Sequence, residues 1–272
     1  MREADRDRYL AALFAPPDKR GALHALAAVN IELARVRDQA REPMPGEIRL
    51  QWWREVIEGK RDDEARAHPV AAALLDAIAA FDLPPDRLEA MIDARAFDLY
   101  DAPFETIAEW ERYAEDTEGI LIACAMQVLA GPQPTVNTEL PARAARSLAG
   151  LTVLQRLPLH LSRGQCYVAR EMLDHFGASL EDGLAGRITP EWRAALAELR
   201  LRIRRDLDAA ADLVDGMSQT VLPALLPCAA VRPSLRIMEP DSCDPLRPEG
   251  LSPWRRQWLI WRAARNPKRI FG

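Results

Sequence analysis

No cysteine pair in this 272-residue sequence stands at redox or metal-ligand spacing: Cys124, Cys166, Cys228 and Cys243 are scattered, with no histidine at a suitable interval. That excludes a zinc ribbon and a CxxC redox centre, and it predicts four reduced thiols. Long apolar runs are missing too, since none approaches the ~18 residues of a membrane span. A basic excess is also lacking: the net charge is -5 and the pI near 5.6, so no global cationic field draws the chain to nucleic acid. The first residues, Met1 to Arg8, carry Glu3, Asp5 and Asp7. They are unlike the acid-poor start of a transit peptide, and no apolar signal segment follows. A cytoplasmic protein is expected. Aromatics make up only 6%, and Ala, Leu, Glu and Arg abound, which favours helix over sheet.

What is present is helical periodicity. Apolar residues recur at three- and four-residue intervals, broken at Pro16-Pro17, Pro43-Met44-Pro45-Gly46, Pro84-Pro85 and Gly131-Pro132. The spacing predicts helices over Arg6 to Leu13, Ala22 to Arg41, Gly46 to Glu58, Val70 to Phe81, Pro85 to Tyr100, Thr106 to Leu129, Pro141 to His160, Thr189 to Met217 and Gln219 to Val231. Thr189 followed by Pro190 and Trp192 is a clear helix start. Residues 232–252 read as an irregular segment rich in Pro, Asp and Ser, and 253–272 as a basic aromatic tail with one short helix. The expectation is one all-α domain over 1–272.

Three stretches resemble the squalene/phytoene synthase family. Ala25 to Asp38 is similar to the segment that carries the family's first aspartate-rich motif, and Trp52-Trp53-Arg54 to the tryptophan-arginine pair after it. Asp98-Leu99 through Trp110, Tyr113 and Gly119 resembles the middle helix. Leu151 to Leu157, then Arg163-Gly164-Gln165-Cys166-Tyr167, resembles the second motif and the loop behind it. The resemblance implies an isoprenoid-synthase-type bundle with a central cavity. In the active family, acids four apart on a helix share a face and hold magnesium against substrate phosphates.

Here the first set of acids falls on Ala34, Arg35 and Asp38, and only Asp38 is acidic. The second falls on Leu157, His160 and Leu161, allowing one residue of slack for a loop to Tyr167 that is shorter than usual. Pro158 is expected to end, kink or reshape that turn. The resemblance therefore implies no catalytic residue, no bound magnesium, and a cavity lined by Ile31, Ala34, Leu157 and Leu161. The combination resembles a family branch that includes a mitochondrial assembly factor for respiratory complex I and α-proteobacterial counterparts, which implies a bacterial chain with a protein partner. An active synthase of squalene- or phytoene-type products and an isoprenoid-binding carrier stay open as alternatives.

Several residues carry two readings. Arg35, Asp38, Arg49, Arg54, Arg156, His160 and Tyr167 form a candidate anion or ligand pocket, because guanidinium forks match phosphate oxygens without a metal. Alternatively the arginines make ion pairs with Asp38, Glu32 and Glu55. His160 is a general base or, beside Leu159 and Leu161, a core residue. Glu109, Glu111, Glu115, Asp116 and Glu118 wrap around their helix and read as a solvated surface. The tail from Leu251 holds six basic residues, no acid, and Trp254, Trp258 and Trp261 at i, i+4 and i+7. It is suited to peripheral contact on the inner face of an anionic membrane, or to packing its tryptophans back on the bundle.

Overall fold

The computed structural model describes residues 3–40, 42–131, 138–240 and 242–272, and among them there is no strand. Arg41 and Pro132, named above as a helix end and a break, lie outside the described residues. Helices α1 (Arg6–Ala12) and α2 (Arg20–Gln39) lead into α3 (Pro43–Ile57), the short α4 (Asp62–Ala67), α5 (Pro69–Phe81) and α6 (Pro85–Ala94). A 3-10 stretch, Arg95–Leu99, precedes α7 (Ile107–Ala114), a π-helical turn at Glu115–Gly119, and α8 (Ile120–Ala130). Then come α9 (Glu139–Ser162), α10 (Arg170–Phe176), α11 (Leu180–Leu184) and α12 (Pro190–Val214). A second 3-10 stretch, Gln219–Ala230, is followed by α13 (Val231–Ile237) and α14 (Pro253–Arg265).

The spine is α9 packed along α12. Helix α12 begins where the sequence indicates, with the Thr189 hydroxyl accepting from Trp192 N at 3.4 Å and Pro190 in the first turn. Its buried stripe runs Trp192, Leu196, Leu199, Ile203, Leu207, Ala210, spaced three and four apart. Gly150 lets the two helices close up, since a Cβ there would stand 2.7 Å from Ile203 Cγ1. Helix α2 packs one face on α5 and α8 through Leu23, Leu26, Leu33 and Val36. One contiguous buried cluster extends from Ala11 to Phe271.

Several sequence expectations give way to local chemistry. Pro158 does not end α9, which runs on to Ser162. The proline has no N–H for the Leu154 carbonyl, and packing of Leu157 and Leu161, both buried, holds the turn beyond it. The stretch expected as an α-helix from Gln219 is 3-10, because Pro223 and Pro227 remove donors four residues apart. The segment 232–252 is not irregular throughout, since α13 occupies its start, with Pro233 tolerated in a first turn that needs no donor. The break at Pro43 is instead the first turn of α3. At Glu115–Gly119 the helix widens by a π turn, and the Thr117 hydroxyl donates to the Tyr113 carbonyl at 2.6 Å.

Candidate functional site

Helix α2, the 3-10 stretch after α6, α7, the π turn, α9 and the chain start surround a cavity of about 550 Å³. Its wall from α2 includes Asn30, Ile31, Ala34, Arg35 and Asp38, which share a helix face because they lie three or four apart. Its wall from α9 includes Thr152, Gln155, Arg156, Leu159, His160 and Arg163, on the same periodicity.

The buried end is a closed network. Asp98 Oδ1 accepts from the Tyr113 hydroxyl at 2.6 Å and from the Tyr167 hydroxyl at 2.7 Å. Arg95 Nη1 donates to Tyr113 Oη at 2.9 Å and to Asp98 Oδ2 at 3.3 Å, and Arg95 Nη2 donates to Asn30 Oδ1 at 2.9 Å. Gln165 Nε2 donates to the Asp98 main-chain carbonyl at 2.9 Å. Burial pushes the Tyr113 and Tyr167 phenols well up, so both stay protonated and remain donors. Phe97 and Phe104 stack beneath them with centroids 3.8 Å apart.

The open end is different. Asp38, at the end of α2, is ion-paired with Arg163 at the end of α9, tying the two walls together. Arg37 Nη2 pairs with Asp101 at 3.0 Å. Arg35 and Arg156 are exposed, and neither has a hydrogen bond or ion pair among the described residues. His160 sits between Arg156 and Arg163 on α9, with its ring 4.5 Å from the Tyr167 ring. Burial first, then the charge of Arg156, pushes it down to about 4, so the imidazole is neutral at pH 7.

The structure thus brings together Arg35, Asp38, Arg156, His160 and Tyr167 and leaves out two residues of the expected pocket. Arg49 stands outside the cavity and donates to Gln39 Oε1. Arg54 is also outside, with its Nε donating to Asp93 Oδ1 at 2.5 Å rather than meeting Glu55. Trp53 is buried against His68, and Trp52 Nε1 donates to Glu64 at 3.0 Å, so this pair serves packing.

Leu157 and Leu161 do not line the cavity as expected. They point into the core, with 1% and 4% exposure, because the cavity face of α9 lies one residue earlier, on Arg156 and His160. His160 is accordingly a cavity residue and not a core one. The Glu109 to Glu118 cluster is not simply solvated either: Glu109 closes a capping box with Thr106, Glu115 pairs with Arg146, and Glu118 pairs with Arg8.

Sequence reasoning missed Arg95 and Asp98 as site residues. Asp98 was visible only as the first residue of a family-like stretch, and the partners that give it meaning lie 15 and 69 residues away.

The donor set does not fit magnesium, which the fold family implies. Magnesium takes clustered oxygen ligands, whereas Asp38 is the one acid that α2 contributes to the cavity lining among the described residues, Ala34 and Arg35 stand in the turn before it, and Asp38 is held by Arg163. Among the described residues no group of three His, Cys, Asp or Glu side chains could hold a metal.

At the far end of the chain, α14 docks through Ile260 and Ala263 rather than through its tryptophans. Trp254, Trp258 and Trp261 are 70%, 45% and 42% exposed. The Arg262 guanidinium lies 4.3 Å over the Trp258 ring and Arg265 lies 4.0 Å over Trp261. No helix among the described residues is long and apolar enough to cross a membrane.

A family model described as squalene/phytoene synthase matches residues 1–262. Complex I assembly factor 6 of Mus musculus is 27% identical over 248 residues, spanning 91% of this chain and 74% of that protein. A phytoene synthase of Thermus thermophilus is 28% identical over 279 residues, 97% of this chain and 91% of that one. Among solved structures, a dehydrosqualene synthase in complex with ligand superposes with a TM-score of 0.79 at 16% identity, covering 98% of this chain and 93% of the other. Squalene synthase HpnC from Alicyclobacillus acidocaldarius gives 0.70 at 18% identity, covering 97% and 90%. The likeness to these structures shows the fold: an all-α bundle of the isoprenoid-synthase type.

Proposed function

This chain belongs to the squalene/phytoene synthase family, and we propose that it is a non-catalytic member that binds a protein partner during assembly of a respiratory NADH:quinone oxidoreductase. The observation that carries the reading is the state of the cavity carboxylates. Asp38 is held by Arg163, Asp98 by Arg95, Asp7 by Arg256, and Asp5 and Glu118 by Arg8. Departure of a diphosphate needs positive charge organised by free carboxylates and metal, and a cavity whose acids are already neutralised does not supply it. Magnesium is no part of this reading. The similarity to complex I assembly factor 6 supports the process, and the retained bundle supplies a large rigid surface for a partner.

In this reading the chain works on the cytoplasmic face of the membrane, touching it peripherally. Three exposed tryptophans beside four arginines on α14 suit the headgroup layer of an anionic bilayer. Replacing Trp254, Trp258 and Trp261 together by Ala should reduce co-sedimentation with anionic vesicles and leave the fold intact. Unchanged sedimentation would remove the membrane contact.

The assembly role is tested by affinity purification of the tagged full chain in mild detergent, paired with a deletion strain. Subunits or assembly factors of the complex should be enriched, and the deletion should lower NADH:quinone reductase activity while carotenoids and hopanoids stay unchanged. Recovery of the chain alone, with a normal complex on native gels of the deletion strain, overturns it. Magnesium-dependent release of pyrophosphate from farnesyl diphosphate would instead establish the synthase alternative. The size of the cavity, about 550 Å³, favours a second reading as an isoprenoid carrier, which native mass spectrometry of the purified chain would test.

A further inference from the structure

Seven arginines and five carboxylates line the cavity. Arg8 takes Asp5 and Glu118, Arg256 takes Asp7, Arg95 takes Asp98, and Arg163 takes Asp38. Arg37 finds Asp101. Each acid in the cavity is then in use, and two guanidinium groups are left over: Arg35 on α2 and Arg156 on α9.

Their positions are linked by the bridge between those helices. Arg35 precedes Asp38 by one helical turn and Arg156 precedes Arg163 by two, so each lies on the face that its neighbour directs across the cavity. One turn beyond Arg156 on the same wall is His160, a neutral imidazole that can give one hydrogen bond and take another. Two unsatisfied cations over a cavity repel each other, and an anion with several oxygens relieves that repulsion while filling both guanidinium forks.

We propose that Arg35 and Arg156, which line one cavity from two helices joined by the Asp38–Arg163 bridge, form a metal-independent binding site for a phosphate-class oxyanion. The cation that a magnesium cluster would provide is here built into the protein, so the ligand is bound but is given no electrophilic metal to activate it. The proposal rests on the reading of the cavity as metal-free. It does not depend on the assembly role, which the deletion strain tests separately.

The test is isothermal titration of the full chain with inorganic pyrophosphate in excess EDTA, at low and at physiological salt, with dihexanoyl phosphatidate as a second probe. Pyrophosphate should bind without magnesium, and Arg35→Gln or Arg156→Gln should each weaken binding about tenfold or more. Both variants should keep the wild-type circular-dichroism spectrum, since neither side chain holds a partner. Tighter binding of phosphatidate than of pyrophosphate would support the same site with a lipid headgroup as its occupant, and the reverse would support a free phosphate compound. Absence of binding by both probes in EDTA, binding that requires magnesium, or wild-type affinity in Arg35→Gln or Arg156→Gln overturns the proposal.

Discussion

At the buried end of the cavity Arg95 has a carboxylate, a phenol and an amide within hydrogen-bond reach, while at the open end Arg35 and Arg156 have no partner among the described residues. Both ends use the same residue types on the same bundle. What differs is whether the protein satisfies its own charge. A buried guanidinium cannot be left alone, because its desolvation must be offset by hydrogen bonds and a counter-charge, so the buried end is committed to structure. A guanidinium at the open end keeps its water and costs little when unpaired. Such a position is free to take a ligand.

The comparison can be broken most decisively at Asp98. Asp98→Ala strips the acceptor from two phenols and the counter-charge from a buried arginine, and should cost about 3–5 kcal/mol in urea denaturation. A loss below about 1 kcal/mol would mean that the buried end is not the committed one. Where the variant does not fold, Tyr167→Phe is the milder version, with an expected loss of about 1 kcal/mol.

His160 lies where the two ends meet, and its effect should be on the order of 2 kcal/mol, discounted for its partial exposure. Its folded value is pushed down to about 4 from an ordinary 6.5, so the unfolded chain binds more protons between those values. Stability from the neutral ring is therefore complete above pH 6.5 and is lost as pH falls toward 4. Comparing wild type with His160→Gln at pH 7 and pH 4.5 reads the difference, and identical pH dependence in the two proteins would contradict it.

The open end should respond least. The Arg163 and Asp38 side chains are 39% and 41% exposed, so a double-mutant cycle on this bridge should give about 0.2–1 kcal/mol. Arg35→Gln and Arg156→Gln should each change stability by less than about 0.5 kcal/mol, because no protein contact is lost. A penalty above about 2 kcal/mol at either would show that the open end, too, is structural.

Much of the scaffold was legible because helices declare themselves through periodicity and caps. Thr189 and Pro190 gave the start of α12, and the three- and four-residue apolar intervals gave the helix at α2. The cavity face of α9 was read one residue late, since a helix turns by about 100° per residue and a single step of slack in the loop to Tyr167 exchanges Arg156 for Leu157. The 3-10 character of Gln219–Ala230 was present in Pro223 and Pro227 but was outweighed by the apolar pattern. Asp98 could not be found locally, as its role comes from Tyr113 and Tyr167 meeting it from other elements. The tail gave its six cations and three tryptophans plainly, but not which face of α14 is inward. That depends on Ile260, Ala263 and the Arg256–Asp7 pair with α1.

The π turn at Glu115–Gly119 bears on how this chain can change over generations. It spends a residue that an unbroken α-helix from α7 into α8 would not need. Losing a single codon there would restore regular winding and rotate everything downstream by about 100° relative to Tyr113. Ile120, Leu121 and Ile122 would swing away from the core, or Tyr113 and Trp110 would leave the cavity wall. Point substitutions can retune the side chains of the cavity one at a time, but a deletion in these five residues would disturb the wall as a whole.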